Sequence, residues 1–351
     1  MPPERVLVAA PVLEQLVQGI FLAHGMRDED AAVLTRVLVW ANLRGSDSLG
    51  VSRALRYIEL YQKGKVTARP EIRVERSRPA LVFVDADRAP GQVALNAAME
   101  AAIETARKTG VAWAAVRAAT MTGPLGYYTS LATDAGMIGL AFDAGVPKMA
   151  YTGARGAAVS ASPLSIAVPA ERHPTVLLDM GTTVAALGKL AQYKNQGKEL
   201  PPGLAVTKIG EPTTDPELGT VPLPLGGARG SGMSLVVELL TSVLVANPIV
   251  STFHGATPDG WLPSHNAALL ALDVAAFMPL DDFKRSVDET LDALKSLPRD
   301  GDDEIRFPGE RGARTEAERR ASGIPLPKKV WESLLAEAEG IGVEVPELKP
   351  A

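Results

Sequence analysis

Between residues 80 and 180 the chain alternates short apolar runs of strand type with longer segments of helical periodicity. This alternation limits the fold more than any other feature of the sequence. Residues 80–85 form an apolar run of strand length. Residues 91–108 repeat at helical spacing and are closed by Gly110, and residues 111–118, 137–143, 164–168 and 176–179 supply further strands. Strands separated by helices call for a layered α/β arrangement.

The flanks read differently. Val12, Leu13, Leu16, Val17 and Ile20 share one helical face, with Gly25 closing the segment. A second helix opens at Asp28, where acidic residues suit the helix dipole, and carries Val33, Leu34, Val37, Leu38 and Ala41 as its stripe. A third runs from about residue 52 to 63. Beyond the centre, residues 197–231 are rich in Pro, Gly and Thr and read as a long functional loop, and residues 232–245 as an apolar helix. The last hundred residues add a strand near 267–273 and helices near 280–296 and 328–339. The expected architecture is mixed α/β, with residues 71–254 forming an α/β part and residues 1–70 plus 255–351 a mainly helical part.

Composition narrows the class of partner. A net charge of −5 without a basic block argues against nucleic acid. The chain has no cysteine, which excludes disulfides, thiolate catalysis and zinc–sulfur sites and fits a reducing, cytoplasmic setting. The longest apolar run, residues 234–250, contains Glu238 and falls short of the roughly 18–20 residues of a membrane span, so no membrane partner is expected. The amino terminus carries no convincing targeting segment.

No GxGxxG follows a strand, and no Walker loop, HExxH or GxSxG occurs. The four histidines, His24, His173, His254 and His265, are scattered without metal-ligand spacing; each reads as a surface or structural residue, and no metal site is expected. Four segments carry a concentration of chemical groups. Residues 44–53 crowd two arginines, Asp47 and several hydroxyls around glycines, either as a ligand site or as a cap in which Ser46 or Asp47 opens the third helix. Residues 120–128 form a glycine-rich turn after a strand, where ligand-contacting groups often sit. Asp179 ends a strand and is followed by Gly181, Thr182 and Thr183, with Lys189 beyond, which reads either as a phosphate site at a helix start or as helix capping. Residues 223–233 set four glycines around Arg229, a backbone that a cofactor can approach closely. Residues 307–311 form a further short turn with paired charges.

In this order and spacing the segments resemble the type-2 malate/lactate dehydrogenase family, which includes ureidoglycolate, sulfolactate and 2,3-diketogulonate redox enzymes and a cyclic-imine reductase. The resemblance runs from about residue 5 to 345. It implies a non-Rossmann fold with a central α/β part that holds a nicotinamide cofactor, NAD or NADP, and a helical part made by both chain ends. It also implies a homodimer with active sites near the subunit contact. The cofactor positions it implies are Asp179, Met180, Gly181, Thr182, Thr183, Lys189, Arg229 (usually lysine in the family), Gly309, Glu310 and Arg311.

The chemical positions depart from the family. Its Ser-His-Gly-Val segment has Leu49 in place of the histidine, between Ser48 and Gly50, and a second family histidine corresponds to Met121. The family's Thr-Asn-Pro becomes Ala161-Ser162-Pro163. Ser48, Tyr127 and Tyr128 are retained, as is Arg53, which the resemblance suits to a substrate carboxylate. Exchange of hydride with an alcohol or ketone needs a proton acceptor or donor, typically worth about 10²–10⁴ in rate. Leucine and methionine supply neither; Asp47, Tyr128 or a bound water remain as sources. The candidate catalytic set is therefore Ser48, Arg53, Asp47 and Tyr128.

The expected function is a dehydrogenase or reductase of a small 2-oxo, 2-hydroxy or 2-imino carboxylate bearing an apolar group. The alternatives are a lyase, hydratase or isomerase on the same scaffold, or a binding pseudoenzyme.

Overall fold

The alternating centre of the chain folds into one seven-stranded sheet, and the two ends fold together beside it. A computed structural model describes residues 4–255 and 257–345. From the amino end, β1 (Arg5–Val8), α1 (Ala10–Ala23), α2 (Asp28–Leu43), two 3-10 turns (Asp47–Leu49 and Val51–Arg53) and α3 (Ala54–Gln62) precede β2 (Arg73–Arg78) and β3 (Leu81–Asp85). Next come α4 (Gly91–Thr109), β4 (Val111–Ala119), α5 (Leu125–Asp134), β5 (Met137–Ala144), β6 (Leu164–Val168) and β7 (Val176–Met180). Then follow α6 (Leu187–Asn195), the short strands β8 (Ala205–Val206) and β9 (Val221–Pro222), α7 (Ala228–Glu238) with a π-helical continuation (Leu239–Val243), and α8 (Ile249–His254). The chain returns through β10 (His265–Asp273), α9 (Leu280–Lys295), α10 (Glu310–Ser322), β11 (Ile324–Pro327) and α11 (Lys328–Gly340).

The sheet order is β2-β3-β4-β10-β5-β6-β7. β3 and β4 pair in parallel, whereas the other neighbours are antiparallel. A parallel pair needs a crossover, and α4 provides it. Ala94, Leu95, Ala98, Met99, Ala102 and Ala106 on α4 are fully buried against the sheet and its neighbours, and small side chains let that layer pack closely. At the start of α4 a Cβ on Gly91 would stand 2.5 Å from the Thr120 carbonyl oxygen and 2.6 Å from that of Met121. The turn after β4 therefore lies directly on the helix, which fixes Met121 in place.

β10 corrects the division expected at residue 254. It comes from the C-terminal stretch assigned to the helical part, yet it pairs with β4 on one side and β5 on the other. Its Ala267, Ala268, Leu269 and Ala271 are wholly buried, as a strand with both edges paired and both faces covered requires. Most of the remaining ends do form a helical layer. Leu13, Leu16, Ile20, Leu34, Leu38 and Tyr57 share a core with Ile324, Leu326, Trp331 and Leu334, and β1 pairs with β11.

Two further differences concern helix starts. The helix expected to open at Thr182 begins at Leu187, and the apolar helix expected from residue 232 begins at Ala228. α10 has no apolar stripe to announce it; it is held by charged groups. Among the described residues no helix is long and apolar enough to cross a membrane.

Asp288 ties α9 to the turn between β6 and β7. Its solvent-inaccessible carboxylate accepts the backbone N–H groups of Arg172 at 2.8 Å, His173 at 3.3 Å and Glu171 at 3.4 Å, with the Arg172 guanidinium 3.3 Å away. Desolvation works to raise the pKa of this group, but the donors outweigh it and hold the carboxyl below its ordinary range. A depressed carboxyl contributes stability above the unfolded-state value near ~4, and loses it as pH falls through the folded value. Asp288→Ala should therefore cost about 1–3 kcal/mol in urea unfolding at pH 7. The difference from wild type should shrink in acid below about pH 4.

Candidate active site

The C-terminal end of β5, the start of β10, the turn after β4 and the 3-10 turns before α3 converge on a pocket of about 210 Å³. Its apolar lining includes Leu49, Met121, Ala161 and Leu187. Its charged or titratable lining also includes Arg53, Lys148, Asp143 and His265. Leu49 and Met121 are the two positions at which the resemblance leads one to expect histidine.

Arg53 sits at the end of a tight 3-10 turn, and its Nε donates to the Ser48 carbonyl. Its other guanidinium nitrogens have no hydrogen-bond partner among the described residues. Lys148 lies on the segment after β5. The protein packed around it, and then the charge of Arg53, push its ammonium pKa down. Two cations that face one pocket without a carboxylate partner form an anion site. Tyr57 is buried, and burial raises its pKa; its hydroxyl accepts from Gln92 and donates to the Met121 carbonyl, which steadies the turn after β4. Asp143 lies 3.0 Å from Nδ1 of His265.

Of the four catalytic candidates, the structure brings Arg53 into the pocket. Ser48 is exposed beside Gly188, where an added Cβ would meet its hydroxyl at 3.0 Å, and it sits next to the pocket residues Leu49 and Leu187. Asp47 is turned away. Its two oxygens take Arg319 of α10 at 2.6 and 3.2 Å, and Asn42 donates to it at 2.8 Å, so its carboxylate is committed to joining the chain ends. Tyr128 is wholly buried and donates to the Thr122 carbonyl; burial holds its pKa well above normal, which leaves it no route to solvent or to the pocket. Ser162 is equally inaccessible and bonds Ser234 at 2.9 Å, while its neighbours Ala161 and Pro163 line the pocket. His265, which by sequence reads as a surface or structural histidine, lines the pocket, as do Asp143, Lys148 and Tyr57, which no sequence motif marks.

Three distant segments meet beside β7. Leu177 donates to the Pro308 carbonyl at 2.9 Å. Leu225 donates to Thr182 at 2.8 Å and Val184 to Leu223 at 2.9 Å, with a β-bridge between Thr183 and Pro224. Residues 177–184, 223–230 and 307–311 thus form one surface. Lys189, Arg229 and Arg311 are exposed on it or next to it and make no ion pair among the described residues. Glu310 instead pairs with Lys295 at 2.5 Å and accepts from Phe307, and so holds the turn itself. Asp179 and Thr182 do not cap a helix: Asp179 accepts from Gly126 at 2.9 Å and Thr182 donates to Ala161 at 2.8 Å. An exposed carboxylate beside unpaired cations and open backbone fits a dinucleotide, with its sugar hydroxyls and its pyrophosphate. Among the described residues no cluster of three or more His, Cys, Asp or Glu is suited to a metal ion.

Comparison with known proteins identifies the family. The family model described as malate/L-lactate dehydrogenase matches residues 8–335. A malate dehydrogenase of Pyrococcus horikoshii is 34% identical over 331 residues, covering 91% of both chains. The NAD(+) ureidoglycolate dehydrogenase of Escherichia coli O157:H7 is 29% identical, covering 94% of this chain and 95% of that one. The solved Δ1-piperideine-2-carboxylate reductase of Pseudomonas syringae superposes with a TM-score of 0.85 at 28% identity, covering 95% of this chain and all (100%) of that one.

Asp179 retains open surface but has protein packed closely around it. That desolvation raises its carboxyl to about 6, against the opposing pull of the Gly126 N–H and the Arg44 charge. A raised carboxyl means that the folded state binds more protons than the unfolded chain between about pH 4 and 6, so this group lowers stability as pH rises through that window. Asp179→Asn, which keeps an acceptor for Gly126, should flatten the change in urea midpoint between pH 4 and 6 and leave the variant at least as stable as wild type at pH 7.

Proposed function

The chain belongs to the malate/L-lactate dehydrogenase family, and on that premise we propose that it is an NAD- or NADP-dependent oxidoreductase. Its substrate is a small 2-oxo, 2-hydroxy or 2-imino carboxylate that carries an apolar group. The observation that carries this reading is a single pocket lined both by apolar side chains and by two cations, Arg53 and Lys148. The pair binds the carboxylate and fixes its orientation. Leu49, Met121 and Leu187 then receive the apolar group, because unpaired polar substituents would be costly against them.

The nicotinamide supplies or accepts the hydride. Asp179 to Thr183, Lys189, Arg229 and the turn from Gly309 to Arg311 form the surface that would hold the cofactor; within it Glu310 acts by fixing the turn. The active unit is a homodimer. Val236, Leu239, Val243 and Leu244 expose 47–59% of their surface along α7 and its π-helical continuation, and a second copy of the chain covers this stripe.

The first test is calorimetric titration with NADH and NADPH, followed by assay of 2-oxo-4-methylpentanoate and Δ1-piperideine-2-carboxylate. Arg229→Glu should weaken binding of the preferred cofactor at least about 10-fold. Arg53→Gln should raise KM for either carboxylate by roughly 10–100-fold, the worth of a lost charged hydrogen bond, with cofactor affinity unchanged. Binding of neither cofactor by folded protein, or turnover without a change in nicotinamide absorbance, would move the assignment to a lyase, hydratase or isomerase.

A further inference from the structure

The pocket lacks both family histidines but contains another. His265 opens β10, and its Nδ1 lies 3.0 Å and 3.2 Å from the two carboxylate oxygens of Asp143 on β5. The Asp143 side chain is 3% exposed and that of His265 24%, so the carboxylate is enclosed while the ring reaches the pocket. Hydrogen bonding of Nδ1–H to a carboxylate selects one tautomer of the neutral ring and leaves Nε2 as the free nitrogen. Among the described residues Nε2 has no hydrogen-bond partner. The other three histidines are engaged elsewhere: His24 with Glu337, His173 with Asp292 and His254 with the Ala158 carbonyl.

Two backbone features aim the ring. The β10–β4 register shifts between His265 and Ala267, where Ala118 adopts a φ of 58° and its N–H donates to the Asn266 side chain at 3.0 Å. An irregularity of this kind re-aims a side chain at the end of a ladder. Beneath the ring lies Gly145. A Cβ there would stand 2.5 Å from Cε1 and 2.8 Å from both ring nitrogens, so the imidazole occupies the space that any other residue would fill.

We propose that His265 is the proton donor and acceptor of the reaction and that Asp143 is its positioning residue; this rests on the oxidoreductase reading above. In the reducing direction, hydride from the reduced nicotinamide forms the new C–H bond at C2 of an oxo acid. The carbonyl π pair moves onto oxygen, which takes the Nε2 proton of the imidazolium. The products are the hydroxy acid, oxidised nicotinamide and neutral imidazole, which is reprotonated from solvent. Oxidation reverses each transfer. The charged or titratable groups lining the pocket with His265 are Asp143 on β5, Lys148 after it, Arg53 ahead of α3 and Tyr57 on α3. Arg53 and Lys148 serve the carboxylate, and the Tyr57 hydroxyl is committed to the Met121 carbonyl.

The test compares His265→Gln, Asp143→Asn, Lys148→Gln and Gly145→Ala in the full-length protein. In wild type, kcat/KM for 2-oxo-4-methylpentanoate should fall as pH rises and the proton donor is lost. His265→Gln should lower kcat about 10²–10⁴-fold and remove that limb, with NADH affinity unchanged. Reduction of Δ1-piperideine-2-carboxylate in its protonated form, which brings its own proton, should fall less than about 10-fold. Gly145→Ala should displace the ring and lower kcat with little change in KM. Imidazole ¹⁵N spectra, which need no substrate, should show the neutral His265 ring protonated at Nδ1 in wild type and lose that preference in Asp143→Asn. The proposal is overturned if His265→Gln keeps the pH limb, if Lys148→Gln alone removes it, or if the wild-type ring carries its proton on Nε2. Wild-type protein that binds nicotinamide but transfers no hydride to either substrate overturns the functional reading, and the assignment of His265 with it.

Discussion

The insertion of β10 between β4 and β5 is the constraint on which the site depends. Its nine residues arrive after α8 and are held on both edges by backbone ladders. Because both neighbours run antiparallel to it, the start of β10 lies beside the ends of β4 and β5, where Ala119 and Ala144 mark the last paired positions. That geometry brings a residue near position 265 to one near position 143 across more than a hundred residues of chain. It also places the turn after β4, with Met121, on the same rim. A pocket assembled from strand ends inherits the rigidity of the ladders, which suits groups that must be held to a fraction of an ångström.

The second support is the joint between the chain ends. α10 sends Arg319 to Asp47 and, at 3.2 Å, Glu316 to Arg44, so the short turns that carry Leu49 and Arg53 are braced by residues some 270 positions later. Arg44 also donates to the Gly309 carbonyl at 3.1 Å and lowers the Asp179 carboxyl against its desolvation. One arginine thus links the turns that carry Arg53, the Pro-Gly-Glu turn and Asp179. A change at the joint is felt at both halves of the site, although none of these ion pairs touches the pocket.

What the sequence made legible follows from whether a feature is local. The centre alternates two periodicities over spans of five to nineteen residues, and β4, β5, β6, β7 and α4 fall within a residue or two of their expected bounds. The stripes of α1 and α2 were equally plain. α10 was missed because charge, not an apolar face, holds it. β10 was found as a strand but assigned to the wrong layer, since periodicity says nothing about partners. The same limit explains the site. Arg53 was recognisable because the turn around it resembles a known segment. Asp47 and Tyr128 were chosen for their chemical groups, and only the tertiary structure shows those groups committed to Arg319 and the Thr122 carbonyl. His265 and Asp143 each look ordinary alone, and their pairing is created by strand order.

The family positions now held by Leu49 and Met121 lie on a helical turn and on the loop after β4, whereas His265 and Asp143 lie on adjacent strands. Placing the proton-handling group on the second pair of elements, as proposed, leaves the surface proposed for the cofactor beside β7 untouched, because its contacts run through residues 177–184, 223–230 and 307–311. It does bear on the lining that the substrate meets. The pocket presents two apolar side chains at residues 49 and 121 together with an enclosed carboxylate and its histidine. A substrate suited to this lining presents an apolar substituent to Leu49 and Met121. It also keeps its carboxylate on Arg53 and turns its reacting oxygen or nitrogen toward β10. Under the proposed assignment acid/base chemistry and substrate preference are coupled in this pocket: placing histidine at residue 49 or 121 would not simply add a second proton donor, because it would set an unpaired polar ring among the apolar lining.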